Sequence, residues 1–243
     1  MNKIYCSFII FLMCLLFPNA GNCQSETDSV FYSKAINNVK AHYFSTIKEK
    51  ANLYKGIEYD YFGRGATGTP FFMIDTMQRG SVLYEDFLYE DVPLRYDMVN
   101  DVLLVKYWGD NNTVQLIKDK IGYFTILNHQ FITLNAIDPE RNEPSFYELL
   151  YRDNKVLVLA RRFKKLIVSS NAEDKSSFVQ YNRYFISKDE KVTSVNSRDD
   201  LSDIFYDKAA EIKKFLRTRK VKYKKNPEQA ILTAAAFYNG LTR

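Results

Sequence analysis

The sequence predicts an α+β chain: an antiparallel β-meander closing into a sandwich or partial barrel, with one helix before it and two or three after it. Three observations carry this expectation. From about residue 54 to 195, short runs rich in Tyr, Phe, Val and Ile alternate with turn residues, many of them about 8–12 residues apart, which is meander spacing. On either side of that stretch the apolar period lengthens to that of a helix. The chain also holds 18 Tyr and 18 Phe against one Trp, a balance suited to sheet faces with rings packed inward and hydroxyls near water. Strands do not alternate with long helices, which excludes a doubly wound parallel sheet.

The elements follow in chain order. Residues 1–3 carry one positive charge, residues 4–17 are almost unbroken apolar sequence, Pro18 ends the run, and 19–24 are small or polar. This order predicts a cleavable signal peptide over 1–23 and a secreted or periplasmic destination. A run of 14 residues falls short of the roughly 20 that a spanning helix needs, so no transmembrane anchor is expected after cleavage. Lipidation at Cys23, within Ala20-Gly21-Asn22-Cys23, is the less favoured alternative, because Asn22 is large for the position before a lipidated cysteine. Cys6, Cys14 and Cys23 are the chain's three cysteines. The mature protein is therefore expected to have neither disulfides nor thiol chemistry, and to be held together by burial alone.

Residues 24–243 contain no low-complexity linker and read as one β-rich domain with helical ends, long enough for a sizeable core. Lys3 is the leader's one charged residue, so the net charge of +5 becomes +4 on cleavage, too little to name a partner. A first amphipathic helix is expected over 29–50, from the spacing of Val30, Phe31, Ile36, Val39, Tyr43, Phe44 and Ile47. Strands are expected at 56–62, 71–75, 81–85, 87–92, 102–107, 113–118, 123–127, 130–134, 146–151, 156–164, 178–187 and 191–195, with an exposed loop at 138–144. Leu-Tyr precedes a turn-prone pair at 53–56, 83–86 and 150–153, a recurring local hairpin device without a fixed repeat. Ser197 and Asp200 form a capping-box pattern ahead of a stripe of Leu201, Ile204, Phe205, Ile212, Phe215 and Leu216. Asn226-Pro227-Glu228 starts a last helix, which Gly240 is placed to end.

The sharpest surface feature lies at 213–225. Lys213, Lys214, Arg217, Arg219, Lys220, Lys222, Lys224 and Lys225 occur there without an acid, a pattern able to grip phosphates, lipid headgroups or an acidic partner. The same cations also suit a plain helix end, where they complement the dipole. A second group, Arg161, Arg162, Lys164 and Lys165, sits on a strand, and alternation sends its members to both faces. Nucleic acid is excluded as a partner by the export signal and the modest charge.

Catalytic chemistry has little to build on. The mature chain has two histidines, His42 and His129, so no metal site or cofactor is expected. Asn128-His129 reads as a two-residue turn between strands. Gly-x-Ser-x-Gly, His-Glu-x-x-His and phosphate-cradling glycine loops do not occur. Asp97 and Asp101 flank Met98-Val99-Asn100, and two carboxylates at suitable separation can share acid–base work on a glycoside, with Trp108 stacking on the sugar. Asp and Asn are equally ordinary turn formers.

The segments Tyr54-Lys55-Gly56-Ile57-Glu58-Tyr59, Pro70-Phe71-Phe72, Gly80-Ser81-Val82-Leu83-Tyr84 and Val92-Pro93-Leu94-Arg95-Tyr96-Asp97, with the basic helical end, resemble a group of uncharacterised secreted proteins of Bacteroidetes-type Gram-negative bacteria. The resemblance covers most of the mature chain. It implies envelope or extracellular placement and no catalytic activity. Where members of that group carry Tyr-Asp-Gly, this chain has Tyr84-Glu85-Asp86, which removes the glycine that a positive-φ turn favours.

The functional expectation is an exported, non-enzymatic binding protein whose partner is an envelope protein or an anionic surface, met through sheet edges or the basic stretch. Two alternatives stand beside it: a carbohydrate-active hydrolase using the carboxylate pair Asp97 and Asp101, with His129 as a further candidate general base, and a carrier holding a lipid or other apolar ligand in a β-cavity.

Overall fold

The computed structural model describes residues 39, 52–60, 65–107, 112–135, 137–168 and 175–242. The chain divides into two compact units, Met1–Thr46 and Ile47–Arg243. In the first, Val39 alone is described, in helical conformation; the rest of the helix expected over 29–50, with His42 and the three cysteines, lies outside the described residues.

Among the described residues, the second unit is built on one antiparallel sheet of eleven strands. They are β1 (Ile57–Glu58), β2 (Gln78–Tyr84), β3 (Phe87–Asp97), β4 (Val102–Lys106), β5 (Thr113–Gln115), β6 (Ile121–Ile126), β7 (His129–Leu134), β8 (Ser145–Arg152), β9 (Val156–Ile167), β10 (Ser177–Lys188) and β11 (Lys191–Val195). Three helices follow: α1 (Arg198–Ile204), α2 (Ala209–Thr218) and α3 (Pro227–Leu241). The antiparallel sheet and the C-terminal helices thus follow the expectation. The strand order is β1-β5-β4-β3-β2-β6-β7-β8-β9-β10-β11. From β6 onward it is a simple meander, but β2 to β5 grow the other way, and the chain crosses back from β5 to β6 through a 3-10 turn at Lys118–Lys120.

Several elements depart from the sequence reading. The strand expected at 71–75 is an irregular crossing segment with a single bridge, Phe71 to Asp97. Its Phe71 and Phe72 are buried, which explains the strand-like composition without a ladder. The stripe of 201–216 is divided between α1 and α2 by a 3-10 turn at Tyr206–Lys208. Gly240 lies inside α3, which runs on to Leu241; its φ is not positive, so it does not act as a terminator.

Turn chemistry sets the registers. Three two-residue hairpins place both central residues at positive φ: Glu85 and Asp86, Leu127 and Asn128, Asp189 and Glu190. That twist matches strand twist, and here it is adopted without glycine. The Glu85-Asp86 pair thus makes a positive-φ turn despite lacking the glycine. Because Leu127 takes the first turn position, His129 is not a turn residue but opens β7, paired with Ile126. A shift of one residue moves a side chain to the other sheet face, and His129 thereby turns inward. Between β2 and β3, Gly80 pairs with Val92 and Val82 with Tyr89, so Ser81 faces both Glu90 and Asp91, a bulge with Asp91 at φ 55°. Gly80 is required there, because a Cβ would lie 2.1 Å from the Thr125 carbonyl oxygen.

The registers align one row across a single face: Tyr89, Val82, Phe124, Phe131, Glu148, Ala160, Tyr184 and Val195. Toward β3 and β6 this face is filled with rings. Tyr96 lies 5.5, 5.2 and 5.6 Å from Phe124, Phe131 and Phe146, and Phe72 lies 5.1 Å from Phe131. Toward β11 it is covered by the helices, whose Leu201, Phe205, Ile212, Ile231, Ala234 and Tyr238 pack on Val158, Ala160, Ile186 and Val195. On the opposite face Tyr147, Leu159 and Phe185 pack beneath Ile137. The sheet curls strongly. The Lys164 N–H donates to the Met98 carbonyl (3.0 Å), and Lys164 Nζ donates to the carbonyls of Thr69 (2.8 Å) and Phe71 (2.6 Å). These bonds join the β3–β4 corner, at Met98, and the crossing segment, at Thr69 and Phe71, to β9, which lies five places from β3 in the strand order.

Candidate functional site

Asp97 and Asp101 are brought into one tight turn between β3 and β4, and both are buried. Asp97 Oδ1 accepts the N–H groups of Val99 (2.8 Å) and Asn100 (3.1 Å), the usual way an Asp closes a turn on its own backbone. Its Oδ2 accepts Tyr59 Oη–H (2.7 Å) and Asn100 Nδ2–H (2.7 Å). Burial, followed by the bond to Asp97, raises the Tyr59 pKa far above the usual phenol value. Asp101, at φ 56°, accepts from Tyr96 Oη (2.8 Å) and pairs with Lys118 Nζ (2.8 Å). The two carboxylates therefore share a turn, and each oxygen already has a partner within the fold. Trp108 lies outside the described residues.

His129 leads into a chain of charges that sequence reasoning missed. Its Nδ1 pairs with Glu148, whose other oxygen accepts Arg162 Nε–H. Arg162 reaches on to Glu228 of α3 (2.9 Å), which also accepts Tyr184 Oη–H (3.1 Å). Burial and the Glu228 carboxylate push Tyr184 up to about 12. The chain thus links β7, β8, β9, β10 and α3 beneath the rings, with the His129 ring edge-on to Phe72 at 5.1 Å. One sequence signal marks it: Glu148 lies two residues from Phe146, an inward-facing position on the same strand.

A second buried group sits on the opposite face. Asp138 takes Arg161 (2.6 Å) and Arg183 (2.9 Å), and Arg183 continues to Glu140. Burial alone would raise the Asp138 pKa, but the Glu140 N–H and the two guanidinium groups outweigh it and hold the carboxyl below its ordinary value. Arg161 and Arg162 thus point to opposite faces, each consumed by a buried acid, and do not form a surface patch.

The basic stretch behaves differently. Lys213, Lys214 and Arg217 lie on α2, Arg219 and Lys220 close its end, and Lys222, Lys224 and Lys225 lead to α3. All eight are exposed, and none forms an ion pair among the described residues. The apolar members of the stretch explain this arrangement. Leu216 is buried, Val221 and Tyr223 are half-buried, and Tyr223 Oη donates to the Val195 carbonyl (3.0 Å), so the cations between them face outward. Lys220 stands at φ 56°, and Val221 N–H returns to the Leu216 carbonyl (3.0 Å), a helix ending that normally uses glycine at the Lys220 position. Arg219 lies 5.3 Å above the Phe215 ring, which stacks on Phe237.

Among the described residues no cluster of three or more His, Cys, Asp or Glu is placed to hold a metal ion, and no helix is long and apolar enough to cross a membrane. No family model, curated protein or solved structure matches the chain.

Proposed function

We propose that the chain is an exported, non-enzymatic binding protein of the cell envelope that meets an envelope protein or another anionic surface through the basic corner at 213–225. One observation carries the reading: eight exposed cations, without an ion pair among the described residues, on the joint between two packed helices. Each cation near an anionic surface contributes about 1 kcal/mol at moderate ionic strength, enough in sum for firm attachment. The outward charge is also unexpected for a helix end alone, since only α2's last turn benefits from dipole complementation while five of the eight cations lie beyond it.

In this reading the curled sheet is an open partial barrel rather than a two-sheet sandwich, supported by the bonds from Lys164 to Met98, Thr69 and Phe71. The rings of Phe72, Tyr96, Phe124, Phe131 and Phe146 occupy its interior, which favours a surface contact over a ligand carried inside. The full hydrogen bonding of Asp97 and Asp101 favours a turn-closing role over hydrolysis.

The test is retention of purified chain on envelope membranes and on vesicles containing phosphatidylglycerol. Reversal of charge in Arg217→Glu/Lys220→Glu/Lys224→Glu is expected to abolish retention at low salt. Lys220→Gly separates charge from folding: it removes one cation while relieving the left-handed backbone by about 1 kcal/mol, so binding falls as the melting temperature rises. Unchanged retention by the triple variant would refute the basic-corner reading.

A further inference from the structure

The outer edge of β11 carries a binding surface of a different kind. The two-residue turn at Asp189 and Glu190 makes Lys188–Lys191, Ile186–Thr193 and Tyr184–Val195 the hydrogen-bonded pairs of the β10–β11 ladder. The peptide groups of the intervening Val192 and Ser194 therefore point away from β10. β11 is the last strand in the order, and among the described residues no hydrogen bond engages those outward groups. An edge left this way is a template for another extended chain.

A cleft adjoins this edge on each face of the sheet. On the helix side a space of about 530 Å³ lies between Lys191 and Thr193 of the strand and Asp203, Ile204 and Tyr206 opposite. On the other side a space of about 190 Å³ lies beside Asp138, Glu140 and Phe185. Ser194 and Asn196 border both. Side chains of an extended peptide alternate between two faces, so a docked strand needs room on both, and a small-molecule site does not. The acids of the larger cleft are not equivalent. Asp189 pairs with Lys188 and Asp200 caps α1, whereas Asp203 is exposed and unpaired among the described residues.

We propose that the outer edge of β11 receives an extended segment of a partner polypeptide as one further antiparallel or parallel strand. Val192 and Ser194 supply the backbone hydrogen bonds, and a Lys or Arg of the segment lies against Asp203. This surface is separate from the basic corner and stands whether or not that corner binds.

The experiment uses the full chain as bait for a displayed library of short random peptides, with the enriched peptides synthesised and titrated by fluorescence anisotropy. Enrichment of β-prone sequences with a basic residue is expected. Ser194→Pro removes an outward N–H without touching the β10 ladder, and is expected to weaken binding about tenfold. Methylating alternate backbone nitrogens of the peptide should abolish binding to the unaltered protein, which keeps the proposal testable should Ser194→Pro fold poorly. Asp203→Asn should remove the preference for Lys or Arg, while Arg217→Glu/Lys220→Glu/Lys224→Glu should bind the peptides as the parent does. The proposal is overturned if the library yields no binder, or if the peptides tolerate both Ser194→Pro and N-methylation. It is equally overturned if sedimentation shows a dimer that Ser194→Pro dissolves, since a second copy is then the occupant.

Discussion

Asp138 concentrates the cost and the benefit of buried charge in one side chain. It is almost fully enclosed, and Arg161 beneath it is nearly as enclosed, so neither tolerates loss of the other. Asp138→Asn is expected to destabilise the chain by about 3–5 kcal/mol in urea unfolding, because a guanidinium is left buried without its counter-charge. Asp138→Leu with Arg161→Met should recover much of that loss, since removing both charges removes the desolvation penalty as well. The pH dependence has a definite sign. With the folded pKa of Asp138 depressed, the unfolded chain binds the proton more readily. Its contribution is complete above the ordinary Asp value of about 4 and shrinks as pH falls through the lower folded value. Asp138→Asn should therefore flatten the acid limb of the stability profile. A sequence reader sees Asp138 as the start of an exposed loop. Its burial depends on Arg161 and Arg183, 23 and 45 positions away, meeting on one face, and only strand register determines that meeting.

At the scale of elements, the hairpins store correctable strain. Leu127 at φ 51° and Asn128 at φ 64° occupy a conformation that costs most L-residues about 1–2 kcal/mol each. Leu127→Asn with Asn128→Gly is expected to stabilise by about 1 kcal/mol and raise the melting temperature by about 2–4 °C by calorimetry. Gly80→Ala should act in the opposite direction. Its new methyl would overlap the Thr125 carbonyl within the β2–β6 ladder, so a loss of about 2 kcal/mol or more in chemical denaturation is expected. The hairpin ends of β2 and β3 were legible as strands 81–85 and 87–92, whereas residues 78–80 and 93–97 were not, since a bulge interrupts the alternation between them. The caps at Ser197 and Asn226 were legible because they act over three residues. The turn at 127–128 was not. Asn-His looks more turn-like than Leu-Asn, and that one-place error put His129 in the turn and concealed its pairing with Glu148. The crossing segment at 71–75 misled for another reason: burial of two rings imitates a strand whether or not a ladder exists.

At the scale of the whole unit, buried and exposed charge are handled differently. Buried guanidinium groups are matched to acids, as in Glu148–Arg162–Glu228 and Asp138–Arg161, while eight of the exposed cations without an ion pair among the described residues are concentrated at 213–225. Attachment through that corner should weaken steeply with salt, because at about 0.15 M the field of an exposed charge fades within about 8 Å. Sedimentation with anionic vesicles across a salt series checks this, and insensitivity to salt would point to an apolar contact instead. The basic stretch was readable from composition alone; that its cations lack partners was not, since ion pairing depends on what the fold brings near. Strand order was the least legible feature, and it has a consequence for the timing of assembly. β2 is the first long strand to be made, yet its second neighbour is β6, with Ser81 bonded to Thr125 across 44 positions. The middle of the sheet is thus begun early and enclosed late. Until residue 126 has arrived, β2 presents a bare flank to its surroundings, an unpaired strand edge that other extended chains can reach first.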